Sequence, residues 1–416
     1  MYISYMDATA DSSAPSSGFA AGDIRGLKFF KPMHELMNPL RAEPVHPNRK
    51  LRYEHYVALL LLYSFSPVLK SLRDIQRASD IESVAKRLGI RRASLGSLSA
   101  ASHDFDPEPL KKIFAELARK TALQNAVPRP EGLPDDIVSY LAQDGTLFDA
   151  LAKMLWAHWI GEHDKAIKVH LQYDIFGGVP VDAQLTDGNG SEIDALKNTL
   201  QAHCMYIVDR GYMEYLLYQM IVNAKSSVLA RLRGNFVHEV LETRELSAKA
   251  IAAGVESDQV IYIGSEKTGT RMKQKMRLIK LHIVNPPGRG LKPRAPRVSR
   301  KNKSVRVSET EYDVYLLTDR MDIPAESLAQ LYKYRWQIEI FFRWLKRTLD
   351  CRHLLAHSEN GLQIQIYTAL IASLLVVLWT GKKPNKVSLF YINMYFAGLC
   401  SIEELQANLE KLNAAK

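Results

Sequence analysis

Disulfide chemistry has almost no place in this 416-residue chain: its three cysteines, Cys204, Cys351 and Cys400, are odd in number and far apart. That excludes a disulfide framework and points to a reducing cytosol. Paired-cysteine zinc spacing is missing as well, so the run DCRHLLAHS, with Cys351, His353 and His357, reads as ordinary chain rather than a metal cluster. Long apolar runs are lacking. The greasiest stretch, Ile364–Trp379, carries Gln365, Thr368 and Ser373 and falls short of the roughly 20 residues that a bilayer requires, so a buried helix is expected. The first residues, to about Asp23, hold no basic start followed by an apolar segment, and no signal peptide is expected. Acidic excess is absent too. The 45 Asp and Glu stand against 55 Lys and Arg, a formal charge of +10 with a pI near 9.2, which favours a polyanionic partner without separating DNA from RNA or an acidic membrane.

The length predicts two or three domains. After an N-terminus expected to be disordered (1–23), residues 24–130 are helical in pattern and read as a separate domain. Within them SVAKRLGIRRASLGSLSAAS has the layout of a helix-turn-helix: Ala85 where helices approach, Gly89 at the turn, and a second helix opening at Arg91 and Arg92, open also to reading as a plain helical hairpin. The linker VPRPEGLPDD precedes a change of texture. Over 131–235, IVSYLAQDG, AIKVHLQYDI and VPVDAQLTD read as strands, followed by a helix (SEIDALKNTL), a strand (CMYIVD), a helix (YMEYLLYQMIVNA) and a strand (SVLARLRG). Three strands and then alternating helices and strands suit an α/β fold of the ribonuclease-H-like type. Over 236–320 the strand-like pieces QVIYIG, MRLIKLHIV and EYDVYLLTD surround a basic tract, in which Arg289, Lys292, Arg294, Arg297, Arg300, Lys301, Lys303 and Arg306 occur without a carboxylate. Such a tract is either a solvated loop or a segment that orders on a phosphate backbone. Helical pattern returns over 321–380 and in the tail, 381–416.

Phosphodiester cleavage by activated water calls for acids that hold divalent ions. Asp144 ends the first apolar strand in YLAQDGT, and Asp209 ends another in MYIVDRGY; each is followed closely by glycine. Strand ends are where α/β sheets usually place their chemistry, although Asp-Gly turns at such places are common. Asp149, beyond the strand end, Asp174, mid-strand, and Asp187, in a Gly-Asn-Gly turn, are weaker candidates. Arg210 beside Asp209 is open to contacting phosphate or to balancing local acids. Trp156 and Trp159 read as core. Further along, Tyr332, Arg335, Glu339 and Lys346 stand in a Y-x2-R-x3-E-x6-K spacing. On one helix, with Tyr332 as zero, they fall at about 300°, 340° and 320°, a single arc beside an apolar stripe of Tyr334, Ile338, Phe341, Leu345 and Leu349. Arg335 and Glu339 are equally an i, i+4 pair of the kind that forms surface salt bridges.

This tetrad, with its flanks YRWQIEIFFRWLK, resembles the YREK signature of bacterial insertion-sequence transposases of the IS-four family, which are cut-and-paste DDE enzymes. The resemblance implies an Asp144, Asp209, Glu339 triad that is catalytic and metal-binding, with Mg2+ as the cofactor and Mn2+ able to substitute. It implies Tyr332, Arg335 and Lys346 as phosphate grips. It also implies a helical N-terminal DNA-binding domain, to which Arg91 and Arg92 would contribute, and a β-rich insertion between the last core strand and the helix that bears the glutamate. Double-stranded DNA at terminal inverted repeats and at the target, a hairpin intermediate, a homodimeric synapse and a bacterial, nucleoid-associated location are part of the same expectation, with no membrane partner. A metal-dependent nuclease of the same fold and a non-catalytic DNA-binding derivative are the competing readings; intact acids at all three positions weigh against the second.

Overall fold

The computed structural model describes residues 37–42, 49–66, 68–90, 92–150, 154, 156–158, 165–267, 269–284, 311–348, 354–381, 383, 385–397 and 399–414. The basic tract, Arg91, Trp159, Leu349, Cys351 and His353 lie outside them.

A nine-stranded mixed sheet organises the chain, in the order β3-β2-β1-β4-β5-β9-β8-β7-β6. Strands β1 (Ser139–Asp149), β2 (Ala166–Asp174) and β3 (Val179–Asp187) form an antiparallel meander. β4 (Cys204–Val208) and β5 (Ser227–Arg231) then run parallel to β1, each reached through a crossover helix, Glu192–Lys197 and Tyr215–Asn223 respectively. This half has the strand order expected of a ribonuclease-H-like core. The strands expected as an insertion, β7 (Val255–Ile263), β8 (Met276–Val284) and β9 (Glu311–Thr318), with an edge strand β6 (His238–Thr243) that the sequence pattern did not reveal, continue the same sheet, because β9 pairs antiparallel with β5. All six residues of β6 are exposed, so it lacks the alternation that announces a strand.

Numbered in chain order, the helices are α1 (Asn38–Arg41), α2 (Tyr53–Phe65), α3 (Leu72–Asp80), α4 (Glu82–Leu88), α5 (Leu95–Asp104), α6 (Glu108–Gln124), the crossovers α7 and α8, α9 (Ala248–Ala252), α10 (Ala325–Tyr334), α11 (Trp336–Thr348), α12 (Glu359–Thr380), α13 (Lys386–Phe396) and α14 (Ile402–Ala414). Side chains alternate across the sheet as a pleated strand requires. Tyr140, Ala142, Met205 and Ile207 enter one core with α2, α6, α11 and α12, whereas Leu141, Tyr206 and Val208 enter a second core with α7 and α8. The stretch expected as a buried helix is α12, whose apolar window is 89% buried. It packs against α2, α5, α6 and β3, so the N-terminal helices share the sheet's core.

Two local expectations are corrected. The second helix of the expected helix-turn-helix opens at Leu95, beyond Arg92; Arg91 lies outside the described residues. Gly89 does make the left-handed turn, at φ 63°; Ser79 Oγ then accepts from the Ala93 N–H at 3.0 Å, and Ser94 caps α5. The tetrad does not lie on one uninterrupted helix either. At Arg335 the bonds tighten to i→i+3, Arg335 N–H to Tyr332 O and Ile338 N–H to Arg335 O, which separates α10 from α11.

The extension is tied to the start of α10 by one buried cation. Arg277 on β8 donates to Asp258 on β7 at 2.8 and 2.6 Å, and also to the Ile323 carbonyl just ahead of α10. Both side chains are almost fully buried, so removal of one leaves an uncompensated charge. Arg277→Ala should lower unfolding free energy by about 3 to 5 kcal/mol in denaturant titrations. A loss within about 0.5 kcal/mol, typical of a surface site, would remove this pair as the anchor.

Candidate active site

Asp144 lies inside β1, not at its end. Asp149 ends β1, and Asp174, expected mid-strand, ends β2, where its carboxylate accepts from the Phe176 and Gly177 N–H groups. Asp187 ends β3 and accepts from Asn189. Asp174 and Asp187 thus close turns. The strand runs past Asp144 because β2 keeps pairing with it through Asp149, whereas the parallel ladder to β4 stops at Ala142 and Ile207. One alternation further along each strand brings Asp144 and Asp209 to the same level, and the pleat turns both toward the α11 face.

Asp209 follows β4 directly and caps a short 3-10 turn, Arg210–Tyr212, its Oδ1 accepting from the Gly211 N–H at 2.7 Å. Asp144 Oδ1 accepts from the Gly145 N–H at 2.8 Å. From above, Arg335 donates to Glu339 Oε1 at 2.8 Å, and its other terminal nitrogen lies 4.0 Å from Asp144 Oδ2. Arg335 is 8% exposed, so the i, i+4 pair is no surface bridge: one buried guanidinium serves Glu339 and Asp144 together. Tyr332 sets its ring 5.8 Å from that guanidinium, and its buried hydroxyl finds no hydrogen-bond partner among the described residues.

Lys346 stands apart from this group. Its Nζ donates to the Leu147 carbonyl at 2.5 Å and sits 4.9 Å from the Phe148 ring, fastening α11 to the far end of β1. Arg210 is exposed beside Asp209. Arg92 is paired with Asp80 at 2.8 Å, on the rim of a groove shared with Arg49 and Lys50. Trp156 is half-buried and donates to the His357 carbonyl, as a core residue does.

One acid had no signal in motif or spacing. Glu192, at the start of α7, approaches from the opposite face of the sheet, and its Oε1 fills the space in which a Cβ on Gly145 would lie 2.8 Å away. The only hint in the chain is that both aspartates are closely followed by glycine. Burial pushes the Asp144 carboxyl up to about 7, opposed by the Gly145 N–H and Arg335 and reinforced by the charges of Asp209 and Glu192. Tyr212, buried below, is raised well above the ordinary phenol value by burial and then by Glu192, Asp144 and Asp209.

Carboxylate oxygens suit a hard divalent cation such as Mg2+ or Mn2+, and Asp144, Asp209 and Glu339 are the carboxylates on these neighbouring elements that could hold one. Among the described residues, the group whose ligand atoms all lie within 4.8 Å of one another is a different one, Glu256, His282 and Asp313, on the sheet extension. Its cation is already present: Lys280 Nζ is 2.6 Å from Glu256 and 3.0 Å from Asp313.

A carboxyl raised on folding is one that the fold favours protonated. Its contribution to stability is full below the unfolded value near 3.8 and is lost as pH rises through about 7. In chelator, Asp144→Asn should therefore raise Tm relative to wild type at pH 8 and by clearly less at pH 4.5. An equal gain at both pH values would place the strain elsewhere.

Residues 140–375, more than half of the chain, match the family described as Transposase DDE domain. The chain is 27% identical over 210 residues to the putative transposase y4zB of Sinorhizobium fredii, an alignment covering 50% of this chain and 52% of that protein, so it spans about half the length of that relative. It is 22% identical over 321 residues to the probable transposase for insertion sequence element IS5377 of Geobacillus stearothermophilus, covering 74% and 75% of the two chains. To the putative transposase for insertion sequence element IS4SA of Synechocystis it is 23% identical over 310 residues, covering 73% and 77%. Among solved structures, a piggyBac transposase synaptic complex with hairpin DNA aligns with 92% of this chain and 78% of its own at 12% identity and a TM-score of 0.37. With the family match running from β1 through α12, and so across both strands and the helix that carry the acids, the chain belongs to the DDE transposases, enzymes that act on DNA.

Proposed function

We propose that this chain is a cut-and-paste transposase of the IS-four type, in which Asp144, Asp209 and Glu339 form the catalytic carboxylate set. The convergence of these three side chains carries the reading: two aspartates level on adjacent parallel strands, and a glutamate tied to one of them through Arg335. A bound divalent ion, Mg2+ or Mn2+, supplies an activated nucleophile and stabilises the leaving oxygen. The protein's own groups position the reaction. Asp144 and Asp209 present hard oxygens from a rigid sheet. Arg335 neutralises Glu339 and Asp144 while the site is free of DNA and is the group assigned to grip phosphate, with Tyr332 and Lys346 assigned the same task and Arg210 a lesser one. Hydrolysis at terminal inverted repeats, a hairpin at the element end, strand transfer into target duplex, a homodimeric synapse and association with the nucleoid complete the proposal. The helical N-terminus, through Arg91 and Arg92, is assigned to end recognition. The basic tract from Arg289 to Arg306 is assigned to the phosphate backbone.

Asp144→Ala, Asp209→Ala and Glu339→Ala should each abolish cleavage of terminal-repeat DNA in Mg2+ while leaving binding of the same DNA largely intact. Retained cleavage in any one of them removes that residue from the set, and cleavage without preference for element ends would favour a simple nuclease.

Neutralising the eight cations between Arg289 and Arg306 should weaken DNA binding evenly across sequences. It should also flatten the plot of log affinity against log salt by about 0.9 for each phosphate that the tract no longer neutralises. An unchanged slope would make the tract a solvated loop.

A further inference from the structure

We infer that Glu192 is a fourth carboxylate of the cation site, delivered through the sheet from the face opposite Glu339. The inference rests on the assignment of Asp144, Asp209 and Glu339 as the cation-holding set and extends it by one residue.

Three observations carry it. First, the carboxylate of Glu192 lies against both glycines that accompany the aspartates: a Cβ built on Gly145 would meet its Oε1 at 2.8 Å, and one built on Gly211 would lie 3.7 Å from its Oε2 and 3.0 Å from Asp209 Oδ1. The small residues after each aspartate thus open the room through which a side chain of the other layer reaches their level. Gly145 is not in the left-handed region, so backbone conformation does not require glycine there; the space does. Second, Glu192 opens α7, and α7 packs on both β1 and the Arg210–Tyr212 turn, so the packing of its own helix sets its place beside the two aspartates. Third, the carboxylate is not consumed by a structural bond. Its ion-pair partner Lys168 stands off at 3.6 Å and gives its hydrogen bond to the Gly190 carbonyl at 2.9 Å instead. With Arg335 shared between Glu339 and Asp144, the acids gathered here outnumber the cations paired with them, the imbalance that a divalent ion corrects.

The competing explanation is a structural Lys168–Glu192 pair that fixes α7 to β2. The two roles separate in Mn2+ binding to the full chain without DNA, measured by isothermal titration calorimetry and by the electron paramagnetic resonance signal of free Mn2+. Glu192→Gln should raise the Mn2+ Kd by roughly 10- to 100-fold, the range seen when a supporting group of a metal site is removed. Gly145→Ala should weaken binding in the same direction, because the added methyl meets the Glu192 side chain at Oε1, Cδ and Cγ and displaces it. Lys168→Met, which removes the structural partner but no ligand, should not weaken it. If Asp209→Asn and Glu339→Gln weaken Mn2+ binding while Glu192→Gln and Gly145→Ala bind as wild type does, the inference about Glu192 is overturned and the assignment of the other acids stands. If Asp209→Asn and Glu339→Gln also leave Mn2+ binding unchanged, that assignment itself falls and takes Glu192 with it.

Discussion

The parallel pairing of β1 with β4 is the constraint on which the site depends. Its ladder of Ser139 to Ala142 against Cys204 to Ile207 brings together two strands that lie 65 residues apart between Asp144 and Asp209. It sets their side chains in phase, and it ends one alternation short of the aspartates. There the two strands part company: β1 continues along β2, and β4 gives way to the turn at Arg210–Tyr212. The acids therefore stand where the pairing of β1 with β4 ends, directly beyond strand residues that are buried. Rigid support of this kind is what a reaction sensitive to small displacements requires.

Placing carboxylates there works against stability, and the neighbouring groups compensate in identifiable ways. Burial favours the neutral form of Asp144, while the Gly145 N–H and Arg335 favour its ionised form. Arg335 is itself almost buried, and without Glu339 and Asp144 it would be an uncompensated charge. The tight i→i+3 turn between α10 and α11 lets this residue lie beneath the helix rather than on its outer face. Held in that way, Arg335 joins Glu339 on α11 to Asp144 on the sheet.

The same frame explains how a long apolar helix serves a protein that acts on DNA. α12 is apolar around its whole circumference, which in water requires burial on every side. The N-terminal helices cover one part of it and the sheet another. Helices that the chain order would set apart as an independent unit thereby become part of the core beneath the strands that carry Asp144 and Asp209. The buried Arg277–Asp258 pair does the corresponding task at the other end, joining the sheet extension to the approach of α10.

Local pattern by itself determined a good deal. The strands Val179–Asp187 and Met276–Val284 coincide with their apolar runs, and α12 with the greasiest stretch. The strand pattern already set Asp144 and Asp209 on two separate strands, and the tetrad spacing picked out Arg335 and Glu339. Periodicity records which way a residue faces, however, and not what stands opposite it. That Asp144 is interior to its strand was decided by β2, which pairs beyond it. That Lys346 fastens to Leu147 was decided by where α11 lies over β1. That Ala93 meets Ser79 was decided by where α3 lies. Glu192 was illegible for the same reason, since its place beside Gly145 and Gly211 exists only once α7 has packed on the far face of the sheet. Contacts between residues distant in the chain follow from the packing of whole elements, and that information is held by no single segment of the sequence.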